Sequence, residues 1–145
     1  MQKKAGFTLI EVLVVIFIIG LLASVVLVGL GTFRARGRDA RRIADLRSMQ
    51  IILELYYAKN GEYPDTTPWD SLETTLKSAG IGASNIPEDP IPSEQYAYGA
   101  SDSRQSYVLS AFLEDPDHRV LKNDIDEDIG TYGITCSDPY YCIKF

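Results

Sequence analysis

Side chains that do chemistry are scarce in this chain. Its 145 residues hold one histidine, His118, and two cysteines, Cys136 and Cys142. A zinc site of four Cys or His ligands is excluded, because only three such residues exist. There is no G-x-S-x-G, no H-E-x-x-H and no phosphate-cradling P-loop. His118 stands in Asp-Pro-Asp-His and reads as a surface turn residue, and the paired acids Glu114 and Asp115 carry no accompanying site signal. Gly29-x-Gly31 lies inside an apolar run, where a dinucleotide loop is not credible. These gaps argue against an enzyme. Disorder is excluded as well, since 46 % of the residues are apolar.

Charge is missing from one stretch and unbalanced elsewhere. Val12–Leu30 contains nineteen consecutive uncharged residues, VLVVIFIIGLLASVVLVGL. The formal net charge of −6 averages over unlike parts: residues 1–49 carry eight basic and three acidic side chains (+5), and residues 50–145 six and seventeen (−11). The acidic bulk argues against a nucleic-acid binder, with a basic patch as the remaining route to one.

Nineteen helical residues cover roughly 28 Å, close to the hydrocarbon thickness of a bilayer. The run is Val/Ile/Leu-rich on every face, which suits a membrane helix better than a core helix of a 145-residue chain. A cleaved secretory signal fits less well, because the apolar region exceeds the usual length. Lys3 and Lys4 precede the span, while Arg34, Arg36, Arg38, Arg41 and Arg42 crowd its far end, so a bare positive-inside count would put the C-terminal side in the cytoplasm. Glu11 is the odd residue: an acid in an apolar helix costs about 2.5–3.5 kcal/mol at the bilayer centre and less near its edge. It is either solvated at the interface or paired with a cation in an assembled state.

Residues 3–23, KKAGFTLIEVLVVIFIIGLLA, resemble the N-terminus of type IV pilins and type II secretion pseudopilins, and Leu53–Pro64 (LELYYAKNGEYP) resembles the end of the long helix and the following turn in the major, G-type pseudopilin. The resemblance implies a leader, 1–6, cut by a membrane prepilin peptidase between Gly6 and Phe7, N-methylation of Phe7, and an assembly role for Glu11. It implies an N-terminus that begins in the cytoplasm and a head that is periplasmic or extracellular, against the bare charge count. Physical chemistry fits these roles. Gly6 lets an extended peptide enter a narrow cleft. Cleavage creates an amine one helical turn from Glu11, and that amine, on the same or a neighbouring subunit, is a cation for its carboxylate. The sequence departs from many members at Val28, where they carry a proline, so a proline kink is excluded there.

Ile43, Leu46, Met49, Leu53 and Tyr57 repeat at three and four residues, which predicts one helix from about Phe7 to Lys59, ended by Asn60-Gly61. Arg34, Arg38, Arg41 and Arg42 share another face. That face reads as a solvated or lipid-headgroup stripe, as a docking strip for a neighbour's acidic head, or as a DNA contact. A short helix is expected over Asp70–Ala79, a Pro-rich loop over Ile81–Glu94, and a hairpin of strands Gln95–Gly99 and Gln105–Leu113. The expected fold is α+β: a long N-terminal helix packed on a small antiparallel sheet, divided into leader 1–6, membrane and assembly helix 7–31, amphipathic stem 32–59 and head 60–145.

Two C-terminal features complete the reading. Asp124, Asp126 and Asp128 alternate; they are either a solvated acidic loop or hard oxygen ligands for Ca²⁺. Ile129 and Thr135 stand where an EF-hand needs Gly and Glu, so it is not an EF-hand, and the calcium reading leans on the C-terminal calcium loop of the pseudopilins that the chain resembles. Cys136 and Cys142 are expected as a disulfide outside the cytoplasm, against two free thiols.

The resemblance implies a filament subunit of a type II secretion system. Its partners would be identical subunits, prepilin peptidase, minor pseudopilins and an inner-membrane assembly platform, with no nucleic acid. A type IV pilin for adhesion, motility or DNA uptake is the alternative, and a non-polymerising, membrane-anchored binding protein is an alternative of another class.

Overall fold

A computed structural model describes residues 8–65, 68–126 and 132–145, with the side chains of 25–29 outside that description. Six elements follow in order: helix α1 (Leu9–Asn60), helix α2 (Trp69–Ser78), strands β1 (Ala97–Ala100) and β2 (Tyr107–Phe112), a short 3-10 helix (Arg119–Asn123) and strand β3 (Tyr140–Lys144). The architecture is α+β, a long N-terminal helix packed on a three-stranded antiparallel sheet of order β1-β2-β3. The chain forms two compact units, Met1–Ala35 and Arg36–Phe145.

In the first unit α1 exposes apolar side chains on all sides, from Leu9 and Ile10 through Phe17 (72 % exposed) to Leu22. Nothing within the chain covers this surface among the described residues. Among those residues no helix is long and apolar enough to cross a membrane. Side chains 25–29, which belong to the expected span, lie outside the description.

In the second unit α1 is amphipathic. Asp39, Arg42, Leu46, Met49 and Leu53 are fully buried, spaced at three and four residues on one face. Leu46, Met49 and Leu53 join Trp69, Leu72 and Leu76 of α2 and Tyr107, Leu109 and Ala111 of β2 in the main core. Each fully buried leucine there contributes about 1.5–3 kcal/mol through removal from water. Ile43 and Tyr57, expected on the same face, pack at its half-buried margin. The helix stops where expected: Gly61 adopts φ +78°, which glycine tolerates, and its N–H closes the last turn on the Tyr57 carbonyl at 2.7 Å.

The hairpin forms with shorter strands than expected, pairing Ala97 with Ser110 and Ala100 with Tyr107. The third strand was not legible in the sequence. β3 pairs antiparallel with β2, Ser110 opposite Cys142 and Phe112 opposite Tyr140, and makes β2 the central strand. Consequently β2 is covered on both faces: Tyr107, Leu109 and Ala111 face the helical core, while Val108 meets a second cluster of Tyr132, Ile134, Cys136 and Cys142. Gly99 of β1 is required by close approach, since a Cβ there would lie 2.1 Å from the Tyr132 carbonyl oxygen.

Candidate functional site

Three sets of chemistry-bearing residues stand out: the N-terminus of α1, a buried ion-pair cluster, and an acidic loop beside the disulfide.

At the start of α1, Thr8 and Glu11 form a capping box. The Glu11 Oε2 accepts from the Thr8 N–H and hydroxyl, both at 2.8 Å, and the Thr8 hydroxyl accepts from the Glu11 N–H at 3.3 Å. The Glu11 carboxylate is thus engaged with the helix N-terminus, whose unpaired N–H groups and dipole favour negative charge. The T-x-x-E spacing was the available signal for it. Gly6 and Phe7, the expected cleavage and methylation positions, lie outside the described residues.

The arginine face of α1 is largely used within the chain. Arg42 is completely buried: Nε and Nη2 form a fork on Asp89 at 2.7 and 2.9 Å, and Nη1 bonds Asp39 and Glu114, both at 2.8 Å. Arg38 makes a second fork on Glu114, both bonds 2.6 Å. Asp39 also accepts the main-chain N–H groups of Glu114 and Asp115 at 3.0 Å. Arg36 reaches Asp115 at 3.6 Å and Arg41 reaches Asp45 at 3.5 Å, both partly exposed and weak. Of the stripe expected to be free for solvent, headgroups or a neighbour, only Arg34 makes no ion pair among the described residues. The correction has a clear cause. Arg38 and Arg42 lie one turn apart, and each planar guanidinium meets a carboxylate bidentately, Glu114 in the loop after β2 for Arg38 and Asp89 in the loop before β1 for Arg42. Hydrogen bonds from Arg38 hold the Glu114 carboxyl down to about 2, with burial opposing and Arg42 adding to the shift. Burial alone would lower the Arg42 pKa, but the bonds to Asp89, Glu114 and Asp39 outweigh it and raise it. Glu114 and Asp115, without a visible role in the sequence, prove to be the anchor points. His118 is a turn residue as expected, and its Nδ1 accepts from Val120 N–H at the start of the 3-10 helix.

The C-terminal loop carries the candidate metal ligands. Oxygens of Asp124, Asp126 and Asp138 lie within 4.8 Å of one another. Asp128 of the expected set lies outside the described residues; Asp138 comes from the loop between the cysteines. Cys136 and Cys142 form a disulfide with a sequence separation of 6. The Cys142 N–H donates to Asp124 Oδ2 at 2.9 Å, whereas Asp124 Oδ1 is buried without a hydrogen-bond partner among the described residues. Burial pushes the Asp124 carboxyl up, the Cys142 bond resists, and the nearby charges of Asp126 and Asp138 push it further. Three converging carboxylates, with Asp124 Oδ1 buried and unpaired among the described residues, fit a hard cation such as Ca²⁺, which takes 6–8 oxygen ligands, the balance coming from main-chain carbonyls and water.

Comparison with known proteins agrees with the N-terminal reading. The family described as "Prokaryotic N-terminal methylation motif" matches residues 1–27. With that motif on the long helix of an α+β fold, the chain is similar to the type IV pilin-like proteins. Within them its similarity runs to the G-type pseudopilins. It is 35 % identical over 88 residues to the type II secretion system core protein G of Klebsiella pneumoniae (61 % of this chain, 63 % of that one). It is 25 % identical over 139 residues to the core protein G of Dickeya chrysanthemi (92 % and 89 %). A fimbrial protein of Neisseria meningitidis is 32 % identical over 77 residues (53 % and 45 %). The chain spans about half the length of the curated relatives it matches above 30 % identity. No solved structure matches it.

Proposed function

We propose that the chain is a structural subunit of a type II secretion pseudopilus, polymerised through the N-terminal part of α1. The single observation that carries the reading is the methylation motif at the head of a helix whose apolar side chains are exposed among the described residues. In this reading residues 1–6 are a leader and 7–31 the membrane and assembly segment. Residues 32–59 form a stem and 60–145 a head outside the inner membrane, which meets identical subunits, minor pseudopilins and the assembly platform. Prepilin peptidase cuts between Gly6 and Phe7 and the new amine is methylated. The amine of Phe7 on a neighbouring subunit then pairs with Glu11. The capping box uses Oε2 for both Thr8 bonds, leaving Oε1 for that amine. Away from water each charge is costly alone, so the pair sets the register between subunits.

Calcium belongs to the same reading: Asp124, Asp126 and Asp138 would hold the ion, whose charge offsets their mutual repulsion and ties the C-terminal loop to β3. The similarity to a fimbrial protein keeps the type IV pilus as a second reading. Gene neighbours separate the two: a secretin with minor pseudopilins for secretion, a retraction ATPase for a retractile pilus. Mass spectrometry of the native N-terminus tests the processing step. A chain beginning at methylated Phe7 is expected, and an uncut Met1 would refute it. Glu11→Ala is expected to insert in the membrane and fail to form filaments; filaments at the normal level would overturn the assembly pair.

A further inference from the structure

Asp124 and Asp138 both lie beside the Cys136–Cys142 disulfide, but only one of them depends on it. Asp124 is held by the main-chain N–H of Cys142, at 2.9 Å. Asp138 lies inside the ring closed by Cys136 and Cys142. The two cysteines are not fixed alike. Cys142 sits within β3, paired opposite Ser110, and stays in register whether or not the S–S bond exists. Cys136 belongs to no strand, although it is buried against Val108, Tyr132 and Ile134. The residues after it are held by the bond to Cys142, by the Leu113 N–H on the Pro139 carbonyl at 2.9 Å, and by the Tyr140 N–H on the Ser137 carbonyl at 3.2 Å. Opening the disulfide therefore leaves Asp124 anchored and loosens Asp138. Three carboxylates within 4.8 Å repel one another, so a freed Asp138 moves away unless a cation holds it. The buried Oδ1 of Asp124 has no hydrogen-bond partner among the described residues, so its charge gains from a nearby cation.

We propose that the Cys136–Cys142 disulfide is a positioning device for cation binding: by keeping Asp138 opposite Asp124 and Asp126 it sets the affinity of the C-terminal loop for Ca²⁺, so that oxidation of the cysteines and loading of the loop reinforce each other. This rests on the calcium reading given above. The loop gains its full affinity only after the thiols have been oxidised, which happens outside the cytoplasm. A subunit head is thereby completed by two events of the same compartment. Outer positioning groups of a metal site typically change affinity by about 10–100-fold. The Leu113 bond retains part of the loop, which places the effect near the lower end, about tenfold. Linkage requires the reciprocal effect: saturating Ca²⁺ makes the disulfide tenfold harder to reduce, about 30 mV for a two-electron couple. In that reaction dithiothreitol delivers two electrons and two protons, the S–S bond becomes two thiols, and the reductant closes to its cyclic disulfide.

The test is calorimetric titration of the full chain in detergent micelles with CaCl₂, for the oxidised protein, Asp138→Asn, and the double variant Cys136→Ser with Cys142→Ser. A parallel arm measures the dithiothreitol concentration that half-reduces the protein with and without Ca²⁺. The expected result is one bound Ca²⁺ in the oxidised protein, affinity about tenfold lower in both variants, and a matching shift in reduction. If the double variant binds as tightly as the oxidised protein, the proposal fails and the calcium reading stands. If the oxidised protein binds no Ca²⁺, both fail. Unchanged affinity in Asp138→Asn overturns the role of Asp138. Should the double variant not fold, Asp138→Asn and the reduction arm decide, and a half-reduction point insensitive to Ca²⁺ refutes the coupling.

Discussion

Removing the Arg42 guanidinium should unseat the contact between α1 and the loops around it. The side chain is fully buried and makes four charge-assisted hydrogen bonds to three carboxylates, of which Asp39 and Asp89 are themselves buried. Arg42→Ala leaves Asp39 and Asp89 with main-chain N–H donors but no cation among the described residues, and leaves Glu114 with Arg38. Breaking a buried ion pair from one side costs about 3–5 kcal/mol, a large share of the 5–15 kcal/mol that stabilises a typical domain. A loss of about 4 kcal/mol corresponds to a Tm lower by about 15 °C for a unit of this size. Arg42→Lys keeps the charge but not the fork, and should lose about 2 kcal/mol. The loss must also depend on pH. In Arg42→Ala the crowded carboxylates take folded pKa values above their unfolded ones, so protonation favours the folded variant and its stability rises as pH falls toward 4.5. The wild type gains nothing there. Urea unfolding of both proteins in micelles at pH 7 and 4.5, followed by near-UV circular dichroism, should show the difference shrinking at the lower pH. A loss under about 1 kcal/mol at pH 7, or one independent of pH, would refute the account of a compensated buried charge cluster.

Other outcomes follow from the same structure. The Glu114 carboxyl is held down to about 2 by Arg38, so its contribution is complete above the unfolded value near 4.5 and fades as pH falls through 2; Glu114→Gln should flatten the acid limb of a Tm-against-pH curve in that window. Gly99→Ala must push β1 away from the Tyr132 carbonyl and should lower Tm by 5 °C or more, about 1–3 kcal/mol, whereas Gly37→Ala, with open space at its Cβ, should not lower it. Millimolar Ca²⁺ should raise Tm, since a ligand bound only by the folded state stabilises it by mass action; an unchanged Tm would remove calcium from the functional reading.

Much of the fold was legible because it is local. The apolar run, the three-and-four repeat of Leu46, Met49 and Leu53, the Asn60-Gly61 stop and the aromatic hairpin strands each carry their signal within a few residues. The T-x-x-E of Thr8 and Glu11 is equally local, but one polar turn at the edge of a long apolar run is a weak signal beside it, and only the hydrogen bonds show it to be a cap. β3 escaped for a different reason. Tyr140–Lys144 is five residues next to a proline and a cysteine, and only its pairing with β2 makes it a strand.

The motif of the N-terminus, the length of the long helix and the imbalance between a basic third and an acidic remainder are all readable along the chain. The sequence could not determine whether those opposite charges meet within one chain or between chains, because charge carries no address. Tertiary structure decided that: the loop after β2 returns Glu114 and Asp115 to α1, and Arg38 and Arg42 are taken up there. It likewise chose Asp138, far from the alternating run in pattern but near in space, as the neighbour of Asp124 and Asp126. Both outcomes depend on chain reversal over many residues, which no periodicity records, and both set where a cation and its carboxylates can come together.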